Sequence, residues 1–109
     1  FKNATEYAKD ILGYDADFSN ILHTKDGILT GQVGGEMMFS DSKGQMLQKL
    51  QTILKVTPQN TIAVGDGAND LSMFKHAKTR VAFCAKQCLA QEATLVIKNK
   101  DLTQLLNII

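Results

Sequence analysis

The sequence has no tryptophan, a single proline at position 58, only two cysteines and no apolar run longer than a few residues. Each shortage excludes something. Without a long apolar run no segment is suited to cross a bilayer as a helix, so a membrane partner is not expected. The polar opening Phe1-Lys2-Asn3-Ala4-Thr5-Glu6 lacks a signal-peptide pattern. Cys84 and Cys88 stand four apart with no further cysteine pair or histidine pair at ligand spacing, too few for a structural zinc site or a disulfide scaffold. They read as two reduced intracellular thiols, and a cytoplasmic setting is the expectation. An excess of one charge is also missing: 12 basic and 11 acidic residues leave a net charge of +1. No basic run follows the pattern that tracks nucleic acid, so that partner class is not expected either. Finally, the chain opens on Phe1 rather than Met, which leads us to expect a piece of a longer parent.

What is present suits one globular domain with a modest core: 109 residues, 44% hydrophobic and 21% charged. Tyr7, Ala8, Ile11 and Leu12 predict one apolar helical face, with Gly13 as its stop. Two short β-type runs, Asn20 to Thr24 and Ile28 to Val33, flank Lys25-Asp26-Gly27, and Asp-Gly in that place predicts a hairpin. Asp41 or Ser42 can cap a second helix with the apolar stripe Met46, Leu47, Leu50, Ile53 and Leu54, ending before Thr57-Pro58. Met37-Met38-Phe39 are expected to pack in the core ahead of it.

The rhythm then changes. Thr61 to Val64, Val81 to Cys84 and Leu95 to Ile97 predict strands. Helices are expected around Leu71 to Ala77, from Lys86 to Ala93, and from a cap at Asp101 through Leu102, Leu105 and Leu106. Strand alternating with helix points to parallel pairing, the α/β class with a partial Rossmann-like sheet and flanking helices. The three late strands read as continuous apolar runs, as parallel strands buried on both faces do. The earlier hairpin, about residues 18–34, does not share that rhythm and is expected to form a small β-flap.

The informative segment is Val64-Gly65-Asp66-Gly67-Ala68-Asn69-Asp70-Leu71-Ser72-Met73. An apolar strand delivers Asp66 to its C-terminal end, where open α/β sheets place their ligands. Gly65 and Gly67 free the backbone for a tight turn and close approach to a ligand. Asp66 and Asp70, four apart across a helix start, can face one cleft. Carboxylates there suit Mg²⁺, and the helix N-terminus suits a phosphate. On spacing alone the segment is equally consistent with an Asp/Gly turn that merely caps a helix through Asp66 or Asn69. Lys43, taken alone, reads as a solvated lysine at a helix start.

Gly65-Asp66-Gly67-Ala68-Asn69-Asp70 resembles the fourth motif of haloacid dehalogenase-type phosphatases, G-D-G-x-N-D. Ser42-Lys43-Gly44, opening an amphipathic helix upstream, resembles the third motif. The stretch Phe1 to Leu12 is similar to the helix after the second motif, whose Ser-Gly-Gly would lie just outside this chain. Asp26-Gly27-Ile28-Leu29-Thr30-Gly31 is similar to the hairpin that the phosphoserine phosphatases of this superfamily carry between their second and third motifs. Ala82-Phe83-Cys84-Ala85-Lys86 resembles the A-F-x-A-K strand and turn after the fourth. The resemblance covers essentially the whole chain and implies that residues 1–109 are the C-terminal part of such a hydrolase domain.

It further implies a role for each matching residue. Asp66 would ligate Mg²⁺, and Asn69 would contact the substrate phosphate. Lys43 would lie against the phosphate and the nucleophilic carboxylate, offsetting negative charge as the transition state forms. Asp70 would hold Lys43 or the metal's water shell. The implied reaction is hydrolysis of a small phosphorylated metabolite, phosphoserine, through an aspartyl-phosphate. That chemistry needs an Asp-x-Asp strand motif. Asp15-Ala16-Asp17-Phe18-Ser19 is rejected for it, because those residues follow a helix end with no strand to carry them, and a polar loop is expected. The chain by itself is therefore expected to be inactive. Two alternatives stay open: a phosphatase of the same superfamily for another phosphomonoester, and an inactive α/β module associating, with copies of itself or another chain, through the sheet edge Ile62-Ala63-Val64. His23 and His76 have no partner at ligand or triad spacing and read as surface or helix-end histidines.

Overall fold

Helix α1 (Lys2–Leu12) ends where expected, on Gly13 in the left-handed region with its N–H returned to the Lys9 carbonyl. The computed structural model that shows this describes residues 1–109. Its backbone gathers into two compact units, Phe1–Phe39 and Ser40–Ile109.

In the first unit, β1 (Asn20–Lys25) pairs antiparallel with β2 (Ile28–Gly35). The turn between them takes positive φ at both central residues, Asp26 (52°) and Gly27 (79°), the type I′ pattern that matches strand twist. The register is irregular between Leu22 and Thr24. The loop after α1 is tied down by Asp17, whose carboxylate accepts a hydrogen bond from the Thr5 hydroxyl (2.9 Å) and pairs with Lys2 (3.1 Å). Those two contacts, the Thr5 bond foremost, hold the Asp17 carboxyl below the usual carboxylate range. The apolar face of α1 is not enclosed: Tyr7, Ile11 and Leu12 are exposed. Nor do Met38 and Phe39 pack in a core, since both are exposed and only Met37 is half-buried. A helix and a two-stranded ribbon offer too little surface to cover them.

In the second unit, α2 (Ser42–Leu54) precedes a parallel sheet of β3 (Ile62–Gly65), β4 (Thr79–Phe83) and β5 (Leu95–Ile97), in that spatial order. A 3₁₀ turn (Ala68–Asp70) running into α3 (Leu71–Phe74) links β3 to β4, and α4 (Gln87–Ala90) links β4 to β5. The α/β class and parallel pairing are as the alternating pattern predicts. The helices are shorter than the pattern suggests: α4 is one turn rather than Lys86 to Ala93, and the C-terminal segment Leu102–Asn107 is 3₁₀.

The core is formed by Ala63, Phe74, Ala77 and Leu89, with Leu71, Met73, Ala85 and Ala93 packed against it. Val81 and Ala82 of the central strand are fully buried. The outer strands are not buried on both faces, however. Ile62, Val64 and Val96 are exposed, because β3 and β5 each have a neighbour on one side only. On α2 the stripe is half-buried at Met46, Leu47 and Leu50 but open at Ile53 and Leu54. No helix is long and apolar enough to cross a membrane.

Candidate active site

The strand β3 ends on Gly65, and the chain turns immediately through Asp66-Gly67 into the 3₁₀ turn that carries Asn69 and Asp70. Asp70 points back at the strand end. Its Oδ2 accepts hydrogen bonds from the backbone N–H groups of Asp66 (2.9 Å) and Gly67 (3.2 Å). Its Oδ1 accepts one from the Nζ of Lys43, at 2.6 Å, so an ion pair joins the start of α2 to the turn after β3. The Asp70 side chain is only 2% exposed, whereas that of Lys43 is 36% exposed. Burial alone pushes the Asp70 carboxyl up. The Lys43 ammonium and the two N–H donors outweigh that and hold it below the ordinary carboxylate value. The result is a fixed carboxylate that presents a lysine charge to solvent.

The two glycines do a different job from the one their types suggest. Neither takes a positive φ, and Gly67 is extended at −146°. Gly65 supplies room: a Cβ there would lie 2.5 Å from the Cβ of Asp70 and 2.7 Å from its Cγ and Oδ2. Only a glycine lets the buried carboxylate fold back onto the strand end.

Asp66 is the contrasting carboxylate. It is exposed, and its side chain enters no hydrogen bond or ion pair. Lys43, Asp66 and Asp70 line one cleft of about 670 Å³ at the C-terminal ends of the strands. Asn69 sits exposed on the same turn and is not among the residues lining that cleft. Val64 and Gly65 line it too, and Phe83, Cys84, Lys100, Asp101 and Leu102, to which the motif spacing does not point, complete the lining. They arrive from the end of β4 and from the segment after β5, and their position at parallel strand ends was the available signal. Cys84 has φ of 45°, uncommon for a residue with a side chain, and donates its N–H to the Ile97 carbonyl at 2.8 Å. Asp17 belongs to the first unit and is already engaged by Thr5 and Lys2.

As a donor set for Mg²⁺ the cleft offers one unengaged carboxylate, Asp66, beside two committed ones, Asp70 on Lys43 and Asp101 on Thr103. No group of three or more acidic, histidine or cysteine side chains gathers anywhere. This fits a hard cation that takes one or two protein carboxylates and fills its other positions with water and phosphate. It does not fit zinc, which calls for a closed set of nitrogen and sulfur ligands. Both cysteines are free and exposed.

A family model described as haloacid dehalogenase-like hydrolase matches residues 4–108. A phosphoserine phosphatase of Wolinella succinogenes is 62% identical over 106 residues, which cover 97% of this chain and 52% of that protein. A phosphoserine phosphatase of Campylobacter jejuni subsp. doylei is 45% identical over 109 residues, covering 100% of this chain and 53% of its own. A solved structure of a phospho-aspartyl intermediate analogue of phosphoserine phosphatase matches with a TM-score of 0.96 at 45% identity, over 100% of this chain and 52% of that one. The chain spans about half the length of the curated relatives it matches.

Proposed function

Because the chain belongs to the haloacid dehalogenase-like hydrolases, we propose that it carries the lysine-and-metal half of an active site that hydrolyses phosphoserine. The observation that carries this reading is the pairing of Lys43, anchored on the buried Asp70 carboxylate, with an unengaged Asp66 in one cleft. The identity to phosphoserine phosphatases along the whole chain supports the substrate. On this reading residues 1–109 form the C-terminal part of one hydrolase domain, with the hairpin at β1 and β2 as its flap.

The surroundings of Lys43, Asp70 and Asp66 suit the task given to each, whereas the task of Asn69 rests on its place in the motif alone. Lys43, held at 2.6 Å by Asp70, meets the phosphate with a charge that needs no rearrangement as negative charge builds on the transferring oxygens. Asp70 is the positioning residue, since both of its oxygens are occupied and neither is offered to a substrate. Asp66 would hold Mg²⁺, and the ion would supply charge neutralisation to the phosphate. The side-chain amide of Asn69 donates to the phosphate. The attacking carboxylate, which forms the aspartyl-phosphate that water later hydrolyses, comes from a part of the protein beyond these residues. On this reading Asp66 would be taken by the metal, and Asp70 is taken by Lys43.

The test joins the N-terminal half of the Wolinella relative to the front of this chain. Mg²⁺-dependent release of phosphate from phosphoserine is expected from the joined protein, with none from the 109 residues alone. Lys43→Ala in the joined protein should lower kcat by about two orders of magnitude or more, the scale of losing a charge-stabilising donor. Release from other small phosphomonoesters in preference to phosphoserine would reassign the substrate within the same family.

A second reading, association through a sheet edge, is favoured by one observation. β3 pairs with β4 on one side and with nothing on the other, and its sequence Ile-Ala-Val-Gly has no charge or proline to block pairing.

A further inference from the structure

Helix α2 begins without the cap its sequence offers. Asp41 occupies the N-cap position, but its side chain makes no capping bond to the backbone; it accepts instead from the Gln45 side chain at 2.6 Å. The first turn of a helix leaves its N–H groups without partners in the helix. One of these, the N–H of Gly44, is taken by the hydroxyl of Ser72 at 3.0 Å, a residue 28 positions further along the chain. The cap of α2 is therefore supplied by α3.

The approach that allows this bond is unusually close. A Cβ at Gly44 would meet the Ser72 carbonyl oxygen at 2.6 Å, its carbonyl carbon at 2.8 Å and its Cβ at 2.9 Å. Two of those three atoms are backbone, so no side-chain rotation would relieve the overlap. Gly44 is buried, and the bond lies next to the ion pair: Lys43 precedes Gly44, and Asp70 stands two residues before Ser72. The two segments are thus pinned twice, once by charge and once by a neutral hydrogen bond at van der Waals distance. An ammonium on a flexible four-carbon stem does not by itself fix where its own backbone sits.

We propose that Gly44 and Ser72 form a backbone clasp that positions Lys43 for its contact with Asp70, making both of them positioning residues for the phosphate-facing lysine. The clasp rests on the functional reading of Lys43 given above, but its geometry can be tested without substrate. In this arrangement the Ser72 hydroxyl sets the depth and rotation of the α2 start, and the absence of a side chain at Gly44 sets the distance.

The test uses the ¹⁵N-labelled 109-residue chain and follows the side-chain ammonium of Lys43, assigned by its disappearance in Lys43→Met. An ammonium held by a buried carboxylate exchanges its protons slowly enough to be observed. Ser72→Ala is expected to speed that exchange by about fivefold or more, the factor that a lost helix cap is worth. Ser72→Thr, which keeps the hydroxyl, should preserve slow exchange. Thr94→Ala is the control: it removes a hydroxyl that both accepts from the Arg80 N–H (2.8 Å) and donates to the Arg80 carbonyl (3.1 Å), away from the clasp. It should leave the Lys43 signal unchanged even where it lowers stability equally. Gly44→Ala should abolish the signal. Should that variant not fold, the Ser72 variants still decide the matter. Slow Lys43 exchange persisting in Ser72→Ala, or equal acceleration in Thr94→Ala, would overturn the clasp while leaving the phosphatase reading untouched. Conversely, a joined protein inactive on phosphoserine would remove that reading and leave the clasp standing.

Discussion

At the scale of single residues, the site depends on one buried carboxylate and the space made for it. Gly65→Ala should destabilise the chain by about 1–3 kcal/mol, the usual cost of forcing an extra methyl into a packed place. Chemical denaturation would measure it, and the loss should be accompanied by displacement of Asp70, whose Cβ stands 2.5 Å from the inserted atom. Lys43→Met leaves Asp70 buried with one donor fewer and should cost about 1.5–3 kcal/mol, the range for a hydrogen bond to a charged group. Acid dependence follows from the direction of the Asp70 shift. Its carboxyl titrates lower in the folded chain than in the unfolded one. The associated stability is therefore present above the unfolded value of about 4 and is lost as pH falls through the folded value. Denaturation midpoints measured down to about pH 3 should fall less steeply for Asp70→Asn than for the unaltered chain. An equal slope in both would mean that the ion pair is not formed. By residue type and spacing Asp66 and Asp70 look interchangeable, and only likeness to the motif gives them different roles. The fold separates them, because one oxygen pair meets three donors and the other meets none.

At the scale of elements, local chemistry and packing share control unevenly. The hairpin turn is decided locally, since Asp26-Gly27 can adopt two successive positive φ angles that other residue pairs resist. Gly27→Ala, in open space but at φ of 79°, should weaken the hairpin by about 1 kcal/mol through backbone strain alone. Loss of cross-strand nuclear Overhauser contacts between β1 and β2, with those of the β3–β4–β5 sheet unchanged, would be the sign. The start of α2 shows the opposite. Its capping residue was legible as Asp41 or Ser42, and the helix does begin there, but the backbone donor is satisfied by Ser72 from a distant segment. No local pattern announces a cap supplied from 28 residues away. The shortness of α4 and the 3₁₀ character of residues 102–107 were equally hidden, because apolar spacing reports which face is covered and not how many turns persist.

At the scale of the whole 109-residue chain, β3 pairs with β4 on one side only. A three-stranded sheet with an unguarded apolar edge is a template for another strand. Light scattering on the 109-residue chain should show mass rising with concentration, and Ile62→Lys, at a residue already 42% exposed, should suppress that rise without unfolding the chain. A constant monomer mass across concentrations would count against the edge as an interaction surface.

The sequence by itself determined the α/β class and the parallel pairing of the late strands, and it pointed to the end of β3 as the candidate site. All three follow from short-range signals: apolar runs of strand length, helical periodicity between them, and glycines around an aspartate at a strand end. It pointed to Lys43 only by likeness to a motif, because a lysine at a helix start has no distinguishing local chemistry. Tertiary structure alone decided which carboxylate is buried and which is free, what the glycines are for, and that α2 is capped from α3. These depend on distances between segments far apart in the chain, and burial is a property of what packs around a residue rather than of the residue itself.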